Sequence, residues 1–472
     1  MVEIPELDPR EAPRARRWDA LVLGSGVRAL VAAARIGARG LRVLVVEEAA
    51  RTALPPALRE PFFLGGLRDQ GVLDACLREL SVPLIDRRRI EPERLAYQIA
   101  ADPYRLDVGQ PSVTSEELAA WGICEPEEAR TLTRHLREAS EIERRLLLEA
   151  PFVRIGRRLG KSRSAVAVGS HKRGLPGDVA SAPGELRRIL DAQVVALANL
   201  GSRGPTPEAR ARLLGLALGG GAGFADEPPW LLDLLRKRVT AVYGDFRSVS
   251  GSFALASVSG QPGIQIDRTG ELWLGRTLIL AAPPTVLRAL YAPDGHRRAP
   301  SLLEARDARS ERVAFLFRVP AALVPEGMSG RLILPSPNAE EPTVAVTAFP
   351  SQSDAQGVDL VARALLPESG PEDRATRQRA LRDRIEDRLR RLMPFCGEAL
   401  APVRFEAPLW DSDDGWLEDP APGGGWPSEV DLRISSRPSV HHLDRACVGG
   451  LGLEGDLLLG WRGGDAIAQE LS

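Results

Sequence analysis

The chain has 472 residues, 44% of them hydrophobic and 27% charged, with a formal net charge of −2. That length supports two or more domains with sizeable cores, and the near-neutral balance implies no general affinity for nucleic acid. No apolar run reaches the roughly 18 residues a membrane span needs, so none is expected.

Met1–Arg17 is acidic, then proline-containing, then basic, with no apolar signal core. It reads as a flexible tail on a cytoplasmic protein. Ala20–Leu23 has the composition of a buried strand, Gly24-Ser25-Gly26-Val27-Arg28-Ala29 makes a tight turn, and Leu30–Arg39 is an Ala-rich helix ended by Gly40. Leu41–Val46 is a second buried strand, closed by Glu47 and Glu48. Strand, glycine turn, helix, strand and acid together are the βαβ unit that binds the ADP half of a dinucleotide. Gly24 allows the sharp exit from the strand. Gly26 lets backbone approach a pyrophosphate, and Ala29 keeps the helix close to the sheet. The first helical N–H groups then face the phosphates. Glu47, 21 residues after Gly26, can accept hydrogen bonds from ribose hydroxyls.

A linker (Ala49–Pro61) and Phe62–Arg68 lead into a helix over Val72–Leu80, and Ile90–Asp107 mixes short strands with turns. Helices are predicted over Ser115–Ala120, Pro126–Glu149, Gly184–Leu200 and Pro207–Leu218, with polar Phe152–Pro183 as a loop. Pro126 suits a first helical position. Gly219–Gly223 is a glycine turn before Pro228-Pro229 and a helix over Trp230–Tyr243. Strand composition then recurs at Phe246–Val249, Ser252–Ser257, Gly263–Asp267, Glu271–Trp273 and Thr277–Ala281, the last ending in Ala282-Pro283-Pro284. Thr285–Tyr291 reads as a short helix. Val313–Val319, Arg331–Leu334, Val344–Phe349 and Leu360–Leu366 read as strands. Glu372–Leu392 is an amphipathic helix stopped by Pro394, Pro408–Ser435 is irregular, and a strand at Val440–Leu443 precedes a last helix over Leu453–Leu471.

The cysteines, Cys76, Cys124, Cys396 and Cys447, form no CxxC pair and read as isolated thiols. The histidines have no metal spacing, and His441-His442 reads as strand rather than catalyst. No nucleophile, acid–base set or metal site stands out, so no catalytic residue is assigned. Trp410, Trp416, Trp426 and Trp461 read mainly as core and loop packing, the other reading being an aromatic lining for a hydrophobic substrate channel, with Trp461 the one expected nearest a cofactor.

Leu443–Ala468 adds a strand end, an acid (Asp444), a glycine turn and a helix start. Here the chain resembles the FAD-dependent oxidoreductases of the phytoene desaturase, amine oxidase and protoporphyrinogen oxidase type. The resemblance rests on Gly24-x-Gly26-x-x-Ala29-x-x-x-Ala33 with Gly40 and Glu47, on Gly219–Gly223, on Thr277–Pro284, and on Leu443–Ala468. The wording Leu451-Gly452-Leu453-Glu454-Gly455 is most similar to the phytoene-dehydrogenase-like branch. The resemblance implies FAD held by Gly24, Ser25, Gly26, Val27, Arg28 and Ala29 at the pyrophosphate, and by Glu47 and Glu48 at the adenosine ribose. It implies contacts near Phe253 and Ala282 on the adenosine side and Asp444 at the ribityl or phosphate region. Backbone around Gly452, Leu453 and Glu454 would meet the flavin's N1–O2 edge, where negative charge grows on reduction. The Glu454 side chain would turn away from that edge.

Two departures stand out. The family's Gly-Gly-Arg element is out of register: Arg51 follows the acids directly and Gly65-Gly66-Leu67-Arg68 comes later. The amine oxidases' flavin-side lysine has no counterpart beyond Lys237, Arg312 being the basic residue in about that place, which disfavours amine oxidation.

The expected fold is α/β: a discontinuous Rossmann-like FAD domain (18–75, 205–291 and 436–472, after the tail 1–17) with a mixed α+β substrate domain (76–204 and 292–435). The expected reaction is hydride transfer between FAD and a small hydrophobic, carotenoid- or isoprenoid-like substrate. The alternatives are another flavin oxidase, of amine or protoporphyrinogen type, or a non-catalytic binding protein similar to GDP-dissociation inhibitors. The Arg-rich helix reads as a solvated face, with peripheral membrane contact the other role open to it. Oligomeric state is not assigned.

Overall fold

The computed structural model describes residues 4–10, 15–67, 71–149, 153–155, 184–201, 204–224, 231–267, 269–282, 310–338, 341–367, 373–417 and 430–472. Phe152–Pro183, the short helix at Thr285–Tyr291, Trp230, Trp426 and the Trp416 side chain fall wholly or largely outside them.

Two eight-stranded sheets organise the chain. In the first, Ala15–Leu23 pairs in parallel with Val43–Glu48 on one side and Leu272–Leu280 on the other. Asp245–Val249 and Ser439–His442 extend it, also in parallel, at either side. The inner stretches Ala20–Leu23, Val43–Val46 and Leu278–Leu280 are continuous apolar runs, covered on one face by Val27–Gly37, which lies buried between the sheet and Leu453–Leu471. Phe253–Val258 and Gln261–Ile266 form an antiparallel hairpin running into Leu272–Leu280. Glu271–Trp273 and Thr277–Ala281, read as separate from the sequence, are one strand. Gly275 is an ordinary strand position whose missing Cβ makes room for Leu21.

The second sheet runs in the order 401–403, 310–320, 357–367, 344–350, 331–334, 95–101, 104–109, with 415–417 also on 310–320. Leu381, Ile385 and Leu389 of helix Arg374–Leu392 bury against it, the apolar side of the amphipathic helix read from the sequence. Helices Pro126–Glu149, Gly184–Leu197 and Pro207–Ala217 share another core with Tyr97, Ile99 and Ile333 of the sheet. Pro207–Ala217 also reaches the other side, with Ala209 in the core of the first sheet and Arg212 on Glu454 of the last helix.

The carboxyl ends of the central parallel strands converge at Gly24, Glu48, Ala281 and Leu443. In an open α/β sheet that edge is where ligands bind. Among the described residues no helix is long and apolar enough to cross a membrane, and no metal-ligand cluster occurs.

Candidate functional site

Gly24 sits at φ 115°, a conformation that favours glycine, and its amide donates to the Val46 carbonyl at 2.8 Å. Gly26 caps helix Val27–Gly37 with extended backbone, so the positive end of that helix faces the cleft. Ala29 is fully buried. Gly460 and Gly464 of the last helix lie against backbone of Arg28 and Ala32, bringing the two helices into close contact. The turn, the acids and the C-terminal segment, far apart in sequence, thus border one cleft.

The donors of that cleft are engaged by the chain itself. The Ser25 amide donates to Asp411 Oδ1 at 2.8 Å, and the Ser25 hydroxyl to Asp411 Oδ2 at 2.7 Å. The Glu48 amide reaches the same Oδ2 at 3.3 Å. Asp413 Oδ1 sits so close over Gly26 that a Cβ there would collide with it. Arg51 donates to the Asp411 carbonyl at 3.1 Å and to Asp413 Oδ2 at 2.8 Å. Arg445 donates to the Asp413 carbonyl at 2.7 Å. The Glu48 carboxylate accepts from the amides of Leu409 (2.8 Å), Trp410 (2.8 Å) and Asp411 (3.1 Å). The Trp410 ring meets Phe253 edge-on at 5.3 Å.

The charges balance locally. Burial opposes the Asp413 charge, but Arg51, Arg445 and Arg28 outweigh it and hold that carboxyl well below the usual range. Burial pushes Asp411 up, against the pull of Arg51 and the Ser25 bonds. Burial lowers Arg28, whose guanidinium bonds the Ala281 carbonyl and lies 3.7 Å from Asp456.

The remaining expected residues have specific partners. Glu47, placed for a ribose, is in a bidentate pair with Arg236 and within 3.4 Å of the Ser248 hydroxyl. Asp444 accepts from the Ala446 amide at 3.0 Å and from Cys447 Sγ at 3.2 Å. Ala282 is buried at the end of Leu272–Leu280. Gly452 sits at φ 57°, with Leu197 backbone where a Cβ would stand. Glu454 is buried and clamped by Arg212, Oε2 lying 2.7 Å from Nε. Gly66 lies against Glu454, so the out-of-register Gly65-Gly66 still reaches this site.

An FAD pyrophosphate would need the Ser25 amide and the space over Gly26, and its ribose would need Glu47. Each is taken, so FAD does not fit the cleft beside Leu409–Asp414 as that segment stands.

Next to the cleft, between the second sheet and the C-terminal segment, is a cavity of about 550 Å³. Its walls include Leu58, Phe63, Leu213, Phe315, Leu365 and Leu453, and Val27 and Glu454 border it toward the cleft. Trp461 is buried in the helix core instead, its ring under Arg462. His441 is also internal, its Nδ1 2.9 Å from the Thr277 hydroxyl.

Sequence reading missed Asp411 and Asp413, Arg212 opposite Glu454, and Asp456 between Arg28 and Arg445. The acids of Trp410-Asp411-Ser412-Asp413-Asp414 were visible, but nothing local ties them to a turn near residue 25.

No family model and no curated protein matches the chain. Solved structures do. Cyclohexylamine oxidase from Brevibacterium oxydans aligns at 15% identity and TM-score 0.53, covering 96% of this chain and 99% of the other. Putrescine oxidase bound to putrescine aligns at 14% and 0.53, with the same coverage. An oxidoreductase from Methanosarcina mazei aligns at 14% and 0.55, covering 94% and 99%. Over nearly its whole length the chain has the fold of these amine oxidases and this oxidoreductase.

Proposed function

We propose that the protein is an FAD-dependent oxidoreductase acting on a lipophilic substrate, with its dinucleotide cleft closed by its own segment Leu409–Asp414 until the cofactor displaces it. The observation that carries this reading is the convergence of the Gly24–Ala29 turn, Glu47 and the Gly452–Glu454 helix start on one cleft beside an apolar cavity. The similar solved structures, named as oxidases and an oxidoreductase, support the oxidoreductase part of this reading and say nothing of a lipophilic substrate. When bound, FAD would supply hydride acceptance. The chain's part would be to hold and orient the substrate and exclude water, for which the apolar walls are suited.

A specific observation favours a second reading. Asp411 and Asp413, locked by Ser25, Glu48 and Arg51, are a self-sufficient filling for the cleft. A flavin-free binding protein on the same fold would look like this.

The visible spectrum of the purified protein separates the two. Flavin bands that bleach with dithionite, in the protein as isolated or after incubation with FAD, support the oxidoreductase. A colourless protein that takes up no FAD rejects it in favour of the binding protein.

A further inference from the structure

The cavity's charge is as informative as its walls. Among the described residues, nine arginines and five carboxylates line it, and no lysine or histidine does. Each carboxylate already has a cation: Glu311 has Arg374, Asp413 has Arg51, Asp414 has Arg363, Glu454 has Arg212, and Asp456 has Arg445 and Arg28. Four lining guanidiniums, those of Arg59, Arg312, Arg379 and Arg404, have no carboxylate within ion-pair distance among the described residues. Arg379 and Arg404 are exposed at the rim.

Arg312 lies deeper. It projects from strand Ser310–Pro320 and donates to Asn199 Oδ1 at 3.0 Å and to the Ala198 carbonyl. Both acceptors are neutral, and Asp414 and Asp456 act on its charge only from beyond ion-pair distance, against Arg445 and Arg363. Burial lowers its pKa to about 10, which still leaves it charged at neutral pH. Arg59, also on the lining, has a buried Nε with no hydrogen-bond partner. A part-buried guanidinium with no carboxylate in contact is incompletely stabilised, and a ligand carboxylate would supply that contact in the fork geometry that guanidinium prefers.

We infer that the cavity binds an amphiphilic anion: an apolar chain or ring system along the Leu58, Phe315 and Leu365 walls, with a carboxylate or phosphate head on Arg312. The inference rests on the proposed reading only in taking the ligand to be lipophilic. It narrows that ligand to the anionic class and disfavours a protonated amine, which the excess of arginine would repel. The cavity volume falls within the range of ordinary small-molecule sites.

The test is displacement of a fluorescent fatty-acid probe by dodecanoate, dodecyl phosphate, dodecanol and dodecylamine, which share one tail. Wild-type protein should prefer an anion to the alcohol by about tenfold or more and bind the amine most weakly. The two anions between them distinguish a carboxylate from a phosphate head. Arg312→Gln should lose that preference while binding dodecanol as before, which also shows that the variant is folded. If Arg312→Gln does not fold, Arg312→Met, closer in length and shape, takes its place: loss of the anion preference is expected, and an unchanged preference would overturn the inference. Equal binding of dodecanol and the anions, tighter binding of the amine, or an unchanged preference in a folded Arg312→Gln variant would overturn the inference. Failure of every dodecyl compound to displace the probe would overturn it too, and the lipophilic-substrate reading with it. Flavin content does not enter the readout.

Discussion

The Ser25 amide and hydroxyl donate to the two oxygens of a single carboxylate, that of Asp411, across 386 residues of sequence. Both donors sit at the positive end of helix Val27–Gly37, where an anion is favoured whatever its source. A carboxylate from the chain and a phosphate from a dinucleotide are therefore competitors for one place.

That competition has a steric side at Gly26. Its φ is ordinary for any residue, so Gly26→Ala tests space alone, and the new methyl would meet Asp413 Oδ1. The expected cost in urea denaturation is about 1–3 kcal/mol. Asp413→Ala should cost stability by exposing Arg51 to a lost partner, but adding Gly26→Ala to it should then cost almost nothing further. Strict additivity in that cycle would mean that the two residues do not meet.

The Glu454–Arg212 pair is nearly inaccessible to solvent, at 2% and 1% side-chain exposure. Removing one partner strands a buried charge, so Arg212→Met should destabilise the fold by about 3–5 kcal/mol. The double variant Arg212→Met, Glu454→Leu should recover most of that loss. Denaturation midpoints check this, and a double variant as unstable as the single one would contradict it.

Stability should be greater in mildly acidic solution than at pH 8. Burial raises Glu60 to about 7, against the pull of the Leu231 and Leu232 amides it accepts from. Burial, with Glu208 nearby, raises Glu143 likewise to about 7. With these folded values above the ordinary 4.5, the native state binds more protons than the unfolded one between about pH 4.5 and 7. Stability then falls as pH rises through that window. Asp413 has the opposite sign: its contribution is lost as pH falls below about 4. Urea midpoints should peak at about pH 5, and Glu60→Gln should flatten the decline toward pH 8. A midpoint that climbs from pH 5 to 8 would contradict the assignment.

The βαβ unit was legible because its signals are local: an apolar run, two glycines, an Ala-rich helix and an acid within thirty residues of one another. The closing helix was legible for the same reason. Leu453–Leu471 has the bounds its punctuation set, whereas the first helix starts at Val27 rather than Leu30 and ends at Gly37, and the second strand runs Val43–Glu48 rather than Leu41–Val46. The cleft's filling was not legible. Asp411 meets Ser25, and Glu48 meets the amides of 409–411, only after strand order has brought segments hundreds of residues apart together. The same holds for Arg212 and Glu454: a charged residue in a helical pattern reads as solvated until its partner's position is known. Glu47 shows the limit of a motif. Its position at the strand end follows from sequence, but its pairing with Arg236 follows from a helix nearly two hundred residues on.

The measurement that bears most directly on the account is a titration with FAD, followed by flavin fluorescence, of the wild type and of Asp411→Asn/Asp413→Asn, with circular dichroism confirming that both are folded. If the acidic segment and the cofactor's phosphates contend for the Ser25–Gly26 cradle, the double variant binds FAD about tenfold tighter or more. Equal or weaker binding by a folded double variant, or no binding by either protein, would contradict that claim.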